Sequence, residues 1–371
     1  MVKGEIRRDG DRVSITAHLI RAKDQAQIWT DSFDRDLRQV RAAQVEIARA
    51  VAQGIERSLR PSSDVAMALA RPLDPKAYEA YLRRDFDKAI ELDPYYAPAY
   101  LALANNMYLG ALFGFSPPKA FTQVIALASK AVELDPTLAG AHATMALGKL
   151  HAQFKWREAE DGFRRATKLD PGNSGVRHGF AHFLLWANRG QESAEECNIA
   201  QQLDPFDADL MACRGWHDLW AGDYDQAIES ARRALSFGDN GLASLVMGWT
   251  YEQKGMFPEG ISALQKAFPS TPRTASVAHI LARSGKRDAA QDLLAQLLED
   301  AKKKYVSAYD FGVIYTGLGD TSRALEWFDK AYEEHSGFLV YAYLDPRLQP
   351  LRSEPPFRDL LRRMGLPNRR A

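Results

Sequence analysis

The sequence predicts a mostly α-helical solenoid of stacked helix pairs, preceded by a small β-β-β-α segment. Three observations predict it. The tripeptide Leu-Asp-Pro recurs at 92–94, 134–136, 169–171 and 203–205, and each copy closes an apolar helical pattern with Ala89, Ala131, Ala166 or Ala200 five residues before its proline. Glycines recur in pairs seven residues apart, as Gly215 and Gly222, Gly248 and Gly255, and Gly312 and Gly319. Near the start, Val13, Ile15, Ala17 and Leu19 alternate with Ser14, Thr16 and His18, the period of a half-buried strand.

In chain order, Asp9-Gly10 is a hairpin signal ahead of that strand, and a third strand fits residues 26–33. Val40, Ile47, Val51 and Ile55 then mark one face of a helix that Pro61 ends. Residues 1–60 read as one small α+β segment. Residues 61–75, with Pro61, Pro72 and Pro75, read as a linker.

The repeat array is expected over 76–338. Residues 76–92 carry only second-helix marks and read as a half repeat or capping helix. Seven helix pairs follow near 97–134, 138–169, 173–203, 207–236, 241–268, 273–302 and 305–335. The first spans 42 residues between its prolines, so about eight are inserted around 110–118. The next intervals are 35 and 34; the motif then decays to Phe-Gly-Asp at 237–239 and to Pro272 while the period holds. The pair at 273–302 is expected to have a shortened first helix.

Each glycine pair has a physical reading. The first member lies inside a predicted helix, where a missing side chain lets a neighbouring helix approach. The second falls at the turn between helices, where a left-handed backbone is often needed. Tyr251 and Tyr315 follow the first glycine by three. Ala159, Ala227, Ala290 and Ala324 open the second helices, and Phe163, Leu294 and Phe328 follow by four, with Cys197 at the equivalent place in its own repeat.

A unit of 34 residues with these residues in phase resembles the tetratricopeptide repeat. The best copy is 305–338, with Gly312, Tyr315, Gly319, Ala324, Phe328 and Ala331. The resemblance implies a right-handed solenoid that binds proteins. The stretch 4–37 resembles the end of the TolB-like N-terminal domain, which precedes such repeats in bacterial regulators, cyclases and kinases. The tail at 344–367 is similar to the closing segment of the same architectures. Within 339–371, Ser353 is expected to cap a short helix whose Phe357, Leu360 and Leu361 cover the last repeat, as open solenoid ends require.

Lys plus Arg equals Asp plus Glu at 48 each, so no whole-chain field attracts nucleic acid or an acidic membrane. Arg358, Arg362, Arg363, Arg369 and Arg370 read as a solvated helix face. Cys197 and Cys213 are the only cysteines, too few for a disulfide framework and suited to a reducing compartment. With no signal-like start and no long apolar run, the expected location is the cytoplasm.

The sequence holds no phosphate loop, dinucleotide glycine motif, GxSxG elbow or CxxC pair, so no enzyme activity and no cofactor is expected. His178 and His182 lie four apart on a predicted helix and could offer two ligands, but no cysteine or acid stands beside them in sequence, and no metal is assigned.

In tetratricopeptide arrays the first helix of each pair lines the concave surface. The resemblance places Leu101, Asn105 and Tyr108 there in the first pair. It adds His178, His182 and Trp186 in the third, Trp216 and Trp220 in the fourth, and Leu245 and Trp249 in the fifth. Aromatic rings give much contact area for little lost rotamer entropy. The expectation is an aromatic groove taking a protein or peptide, with packing between adjacent first helices as the alternative. The rival reading is the regulatory portion of a bacterial transcriptional regulator or adenylate cyclase-type signalling protein. The strand edge of the N-terminal sheet is a candidate for self-association.

Overall fold

The computed structural model describes residues 2–9, 12–20, 27–36 and 74–366. The chain divides into two units, Met1–Pro72 and Leu73–Ala371. In the first, strands β1 (Val2–Asp9), β2 (Arg12–Ile20) and β3 (Gln27–Asp36) form an antiparallel sheet in that order. Ile6 pairs with Ile15, and Ile15 with Phe33; the register slips between Leu19 and Ile20. The helix expected over 40–55 and nearly all of the expected linker lie outside the described residues.

The second unit is helical. It opens with a short pair, α1 (Pro75–Leu82) and α2 (Phe86–Leu92), where a single half repeat was expected. The second helix marks are real, but Asp74 caps a first helix that already starts at Pro75. Seven pairs follow: α3 (Ala97–Leu112) with α4 (Ala120–Leu134), α5 (Ala139–Gln153) with α6 (Trp156–Leu169), and α7 (Ser174–Trp186) with α8 (Gly190–Leu203). Then come α9 (Ala208–Ala221) with α10 (Tyr224–Leu235), and α11 (Gly241–Gln253) with α12 (Phe257–Lys266). The last two are α13 (Thr271–Arg283) with α14 (Arg287–Asp300), and α15 (Ala308–Gly317) with α16 (Thr321–Glu334). Each helix packs on its partner, and from α3 onward each first helix also packs on the first helix of the next pair. This is the stacking of a solenoid: no pair buries its own apolar side, and neighbours do it jointly.

The repeated residues explain the periodicity. In each Leu-Asp-Pro the aspartate leaves the helical conformation and its N–H still reaches the carbonyl of the alanine four residues back, as Asp135 to Ala131 at 2.8 Å and Asp170 to Ala166 at 3.0 Å. The proline that follows cannot continue a helix. First helices then begin on side-chain caps from Asn173, Asp207, Asn240 and Ser270. The glycine pairs behave as read. A Cβ on Gly248 would meet Leu264 at 2.5 Å and one on Gly312 would meet Phe328 at 2.8 Å, while Gly222, Gly255 and Gly319 all have positive φ. Ala159, Ala227, Ala290 and Ala324 are fully buried at the helix contacts.

Two expectations about local structure are corrected. Helix α13 is not shortened: at 13 residues it matches α7 and α11, because Pro272 sits in its first turn rather than closing the preceding repeat. Ser353 does not cap the terminal helix α17 (Pro355–Arg363); Glu354 holds the cap position, without a side-chain hydrogen bond. Phe357 and Leu360 are nevertheless buried, and Phe357 meets Phe328 of the last pair edge-on at 5.8 Å. The helix end also returns to an early repeat, where Trp156 Nε1 donates to the Met364 carbonyl at 2.7 Å.

Among the described residues no helix is long and apolar enough to cross a membrane.

Candidate functional site

Between α16 and α17 the chain does something the repeat pattern does not encode. Residues Gly337–Tyr341 and Pro346–Leu351 form two 3₁₀ turns that run across the stacked first helices. Phe338, Leu339, Val340, Tyr341 and Ala342 are all buried. Gly337 sits so close to the end of α3 that a Cβ would lie 2.8 Å from Leu112 Cα.

Tyr341 is the centre of this contact. Its ring stacks on Trp220 at 5.0 Å and meets Trp186 and Trp216 edge-on at 5.5 and 5.6 Å. Trp216 Nε1 donates to its hydroxyl at 3.0 Å. Phe338 lies against Trp249 at 5.9 Å, Trp216 at 6.2 Å and Phe113 at 5.8 Å. The four tryptophans therefore share one inner wall, as their repeat positions implied. The wall is not open, however: Trp186, Trp216, Trp220 and Trp249 are 2%, 3%, 8% and 2% exposed.

Beyond the aromatics, Arg347 and Asp345 form a buried ion pair, with Nη2 to Oδ2 at 2.7 Å and Nε to Oδ1 at 3.0 Å. Every neighbour adds to it. Tyr309 donates its hydroxyl to Asp345 at 2.7 Å, Arg347 Nη1 reaches Ser276 Oγ at 3.1 Å, and the guanidinium lies 4.0 Å over the Trp249 ring. Burial pushes the Asp345 carboxyl up, but the Arg347 charge and the hydrogen bonds to Arg347 and Tyr309 together hold it below the usual carboxylate range. A buried pair is tolerable only when its hydrogen bonds are met in this way.

The remaining expected groove residues separate into two groups. Leu245 is fully buried, and Tyr108 is buried with its hydroxyl 3.1 Å from His151 Nε2. Leu101 is half-buried and Asn105 is exposed, accepting a hydrogen bond from Thr144 Oγ1 at 2.6 Å. An open groove lined by all ten side chains is thus not what the fold presents. The physical reason is that the tail is apolar and near at hand, so it covers the wall that the repeats leave bare. One signal was available: 337–342 is an unbroken apolar run without helical period, the mark of a fully buried segment.

A second cluster stands at the edge of the same wall. His178 and His182 are one turn apart on α7, and Cys213 and His217 are one turn apart on α9, 35 residues later. His178 Nε2 lies 2.8 Å from Cys213 Sγ, His182 Nε2 lies 3.3 Å from the same sulfur, and the two Nε2 atoms are 3.0 Å apart. His182 Nδ1 is 3.4 Å from the Tyr341 hydroxyl. His217 Nδ1 contacts Ser193 Oγ at 2.8 Å, and its Nε2 is buried without a hydrogen-bond partner. Burial lowers the imidazoles, His178 to about 4 and His217 to about 3, so they are neutral at neutral pH. Sequence reading missed Cys213 because it is remote along the chain; the one-repeat offset between the two i,i+4 pairs was the signal that could have found it.

No family model matches the chain. A protein of Rhizobium meliloti (strain 1021), provisionally named adenylate cyclase 3, is 25% identical over 167 residues, covering 40% of this chain and 28% of that protein. The chain thus spans little more than a quarter of this relative's length. Among solved structures, a tetratricopeptide repeat protein from Parabacteroides merdae ATCC 43184 is 14% identical, with 72% of this chain and 98% of that chain covered at a TM-score of 0.46. A structure described as the functional characterization of Pseudomonas aeruginosa pilF is 20% identical, with 56% and 93% covered at a TM-score of 0.40.

Proposed function

We propose that the helical unit is a non-catalytic interaction scaffold that recognises a protein or peptide through its aromatic inner wall. One observation carries this reading: the wall already holds a peptide, the chain's own 337–351, with indole rings around Tyr341 and a hydrogen-bonded arginine over Trp249. A partner of the same chemistry, an aromatic segment followed by a basic residue, fits the same contacts. It must compete with a tethered occupant whose effective concentration is of order millimolar, so capture depends on loosening that segment.

The test uses a labelled peptide of sequence 336–351 and fluorescence anisotropy against the full chain and against the Phe338→Ala, Tyr341→Ala variant, with circular dichroism to show that the variant keeps its helices. Binding to the variant and exclusion from the parent chain are expected. A helical variant that ignores the peptide refutes the reading.

The stretch related to the Rhizobium meliloti protein, together with the TolB-like character of 4–37, supports a second reading. In it the chain is the regulatory portion of a bacterial transcriptional regulator or adenylate cyclase-type signalling protein, with the effector encoded upstream or as a separate module. A reading frame continuing upstream of Met1 into such a module supports it, and a stop codon in that frame counts against a fused one. A cytoplasmic location belongs to the proposal and is supported by two buried, unpaired thiols, Cys197 and Cys213. So does self-association through an outer strand, β1 or β3, of the N-terminal sheet; light scattering that returns a strict monomer refutes it.

A further inference from the structure

We infer that His178, His182 and Cys213 form a metal site that takes a thiophilic divalent cation, zinc above all, and clamps α7 to α9. All three ligand atoms lie within 4.8 Å of one another, which is the requirement for a shared ion. Zinc bonds of about 2.0–2.1 Å to imidazole and 2.3 Å to thiolate place tetrahedral ligands roughly 3.3–3.6 Å apart. The observed 3.0 Å between nitrogens and 3.3 Å from His182 to sulfur need about 0.3 Å of spreading, and the 2.8 Å from His178 to sulfur needs about 0.8 Å.

Hydrogen bonding alone serves this triangle poorly. A neutral imidazole nitrogen is either a donor or an acceptor, never both. If both Nε2 atoms carried a proton they would repel, and if one does, it and the thiol supply two protons for three contacts. A single cation satisfies all three lone pairs at once, with the thiol proton released to solvent on binding.

The surroundings suit a cation. Asp207 and Asp209, at the start of α9, act electrostatically on His178. Cys213 is buried while both histidines keep partial exposure, so an ion has a path in. Three protein ligands leave a fourth position for water. Mixed imidazole and thiolate donors select zinc and its neighbours over magnesium or calcium. The Tyr341 hydroxyl beside His182 Nδ1 ties the site to the segment that covers the wall.

The experiment is cobalt(II) titration of the full chain after chelator dialysis, followed by zinc competition. One cobalt per chain, a thiolate-to-metal charge-transfer band and displacement by zinc are expected. Cys213→Ser should abolish the band, and His178→Ala should weaken binding by more than about tenfold, the least that losing even an outer partner of a metal site costs. Cys197→Ser should leave both unchanged. Circular dichroism of each variant separates loss of ligand from loss of fold. No bound cobalt, or a band that survives in Cys213→Ser, overturns the site. Neither result bears on whether the wall takes a peptide, because that is read by the anisotropy experiment.

Discussion

Truncating Tyr341 to alanine tests how the inner wall is closed. The ring is 2% exposed and packed among Trp186, Trp216, Trp220 and Phe338. Removing a fully buried aromatic side chain costs about 3–5 kcal/mol through lost transfer and the cavity it leaves. The substitution also strips the Trp216 indole N–H of its acceptor, which adds roughly 1–3 kcal/mol if no water replaces it. A total of about 4–8 kcal/mol lowers the urea midpoint by roughly 1 M or more. Tyr341→Phe keeps the ring and loses only the hydroxyl, so it should show the smaller of the two costs. Urea unfolding followed by tryptophan fluorescence reads the wall directly, since four of the indoles surround this segment. Gln349→Ala, at an exposed position of the same segment, is the control. If Tyr341→Ala moves the midpoint no further than Gln349→Ala, the segment does not close the wall and the reasoning fails.

Other perturbations follow from the same contacts. Asp345→Ala leaves the Arg347 guanidinium buried and unpaired and should cost about 3–5 kcal/mol, whereas Asp345→Ala with Arg347→Met should cost less than the single change; chemical denaturation of both variants checks the order. Gly312→Ala pushes a methyl into the Phe328 ring and should cost about 1–3 kcal/mol by overpacking, seen as a lower melting temperature. Asp310 is buried with Oδ2 unpartnered, and burial pushes its carboxyl up to about 7. Its folded value lies above the unfolded value of about 3.9, so its contribution is fully present below pH 4 and is lost as pH rises through 7. The slope reaches at most about 1.4 kcal/mol per pH unit. Asp310→Asn should flatten the stability profile between pH 4 and 7, and an unchanged profile rejects the assignment.

How much of this was legible before the fold was known depends on range. The Leu-Asp-Pro ends, the buried alanines at 159, 227, 290 and 324, and the left-handed glycines at 222, 255 and 319 are local requirements that recur in several of the pairs. A helix end needs its stop, a close helix crossing needs a small residue, and a tight turn needs a residue that accepts positive φ. Such requirements leave a periodic trace, and the seven helix pairs could be placed within a few residues from it. The same periodicity put Trp186, Trp216, Trp220 and Trp249 on one wall, because first helices stack on first helices.

What covers that wall has no period. Tyr341 lies 125 residues from Trp216 and 159 from His182, and only the packing of the tail against the stacked first helices brings them together. Trp156 and Met364, 208 residues apart, meet for the same reason. The His178–His182–Cys213 triangle is intermediate: each pair of ligands is set by helical geometry, but their convergence depends on the crossing of two adjacent first helices. The amino-acid order determined the units and the face each one leaves apolar. Tertiary structure alone decided which apolar face is buried by which distant segment, since that choice rests on burial summed over the whole array and not on any short run of residues.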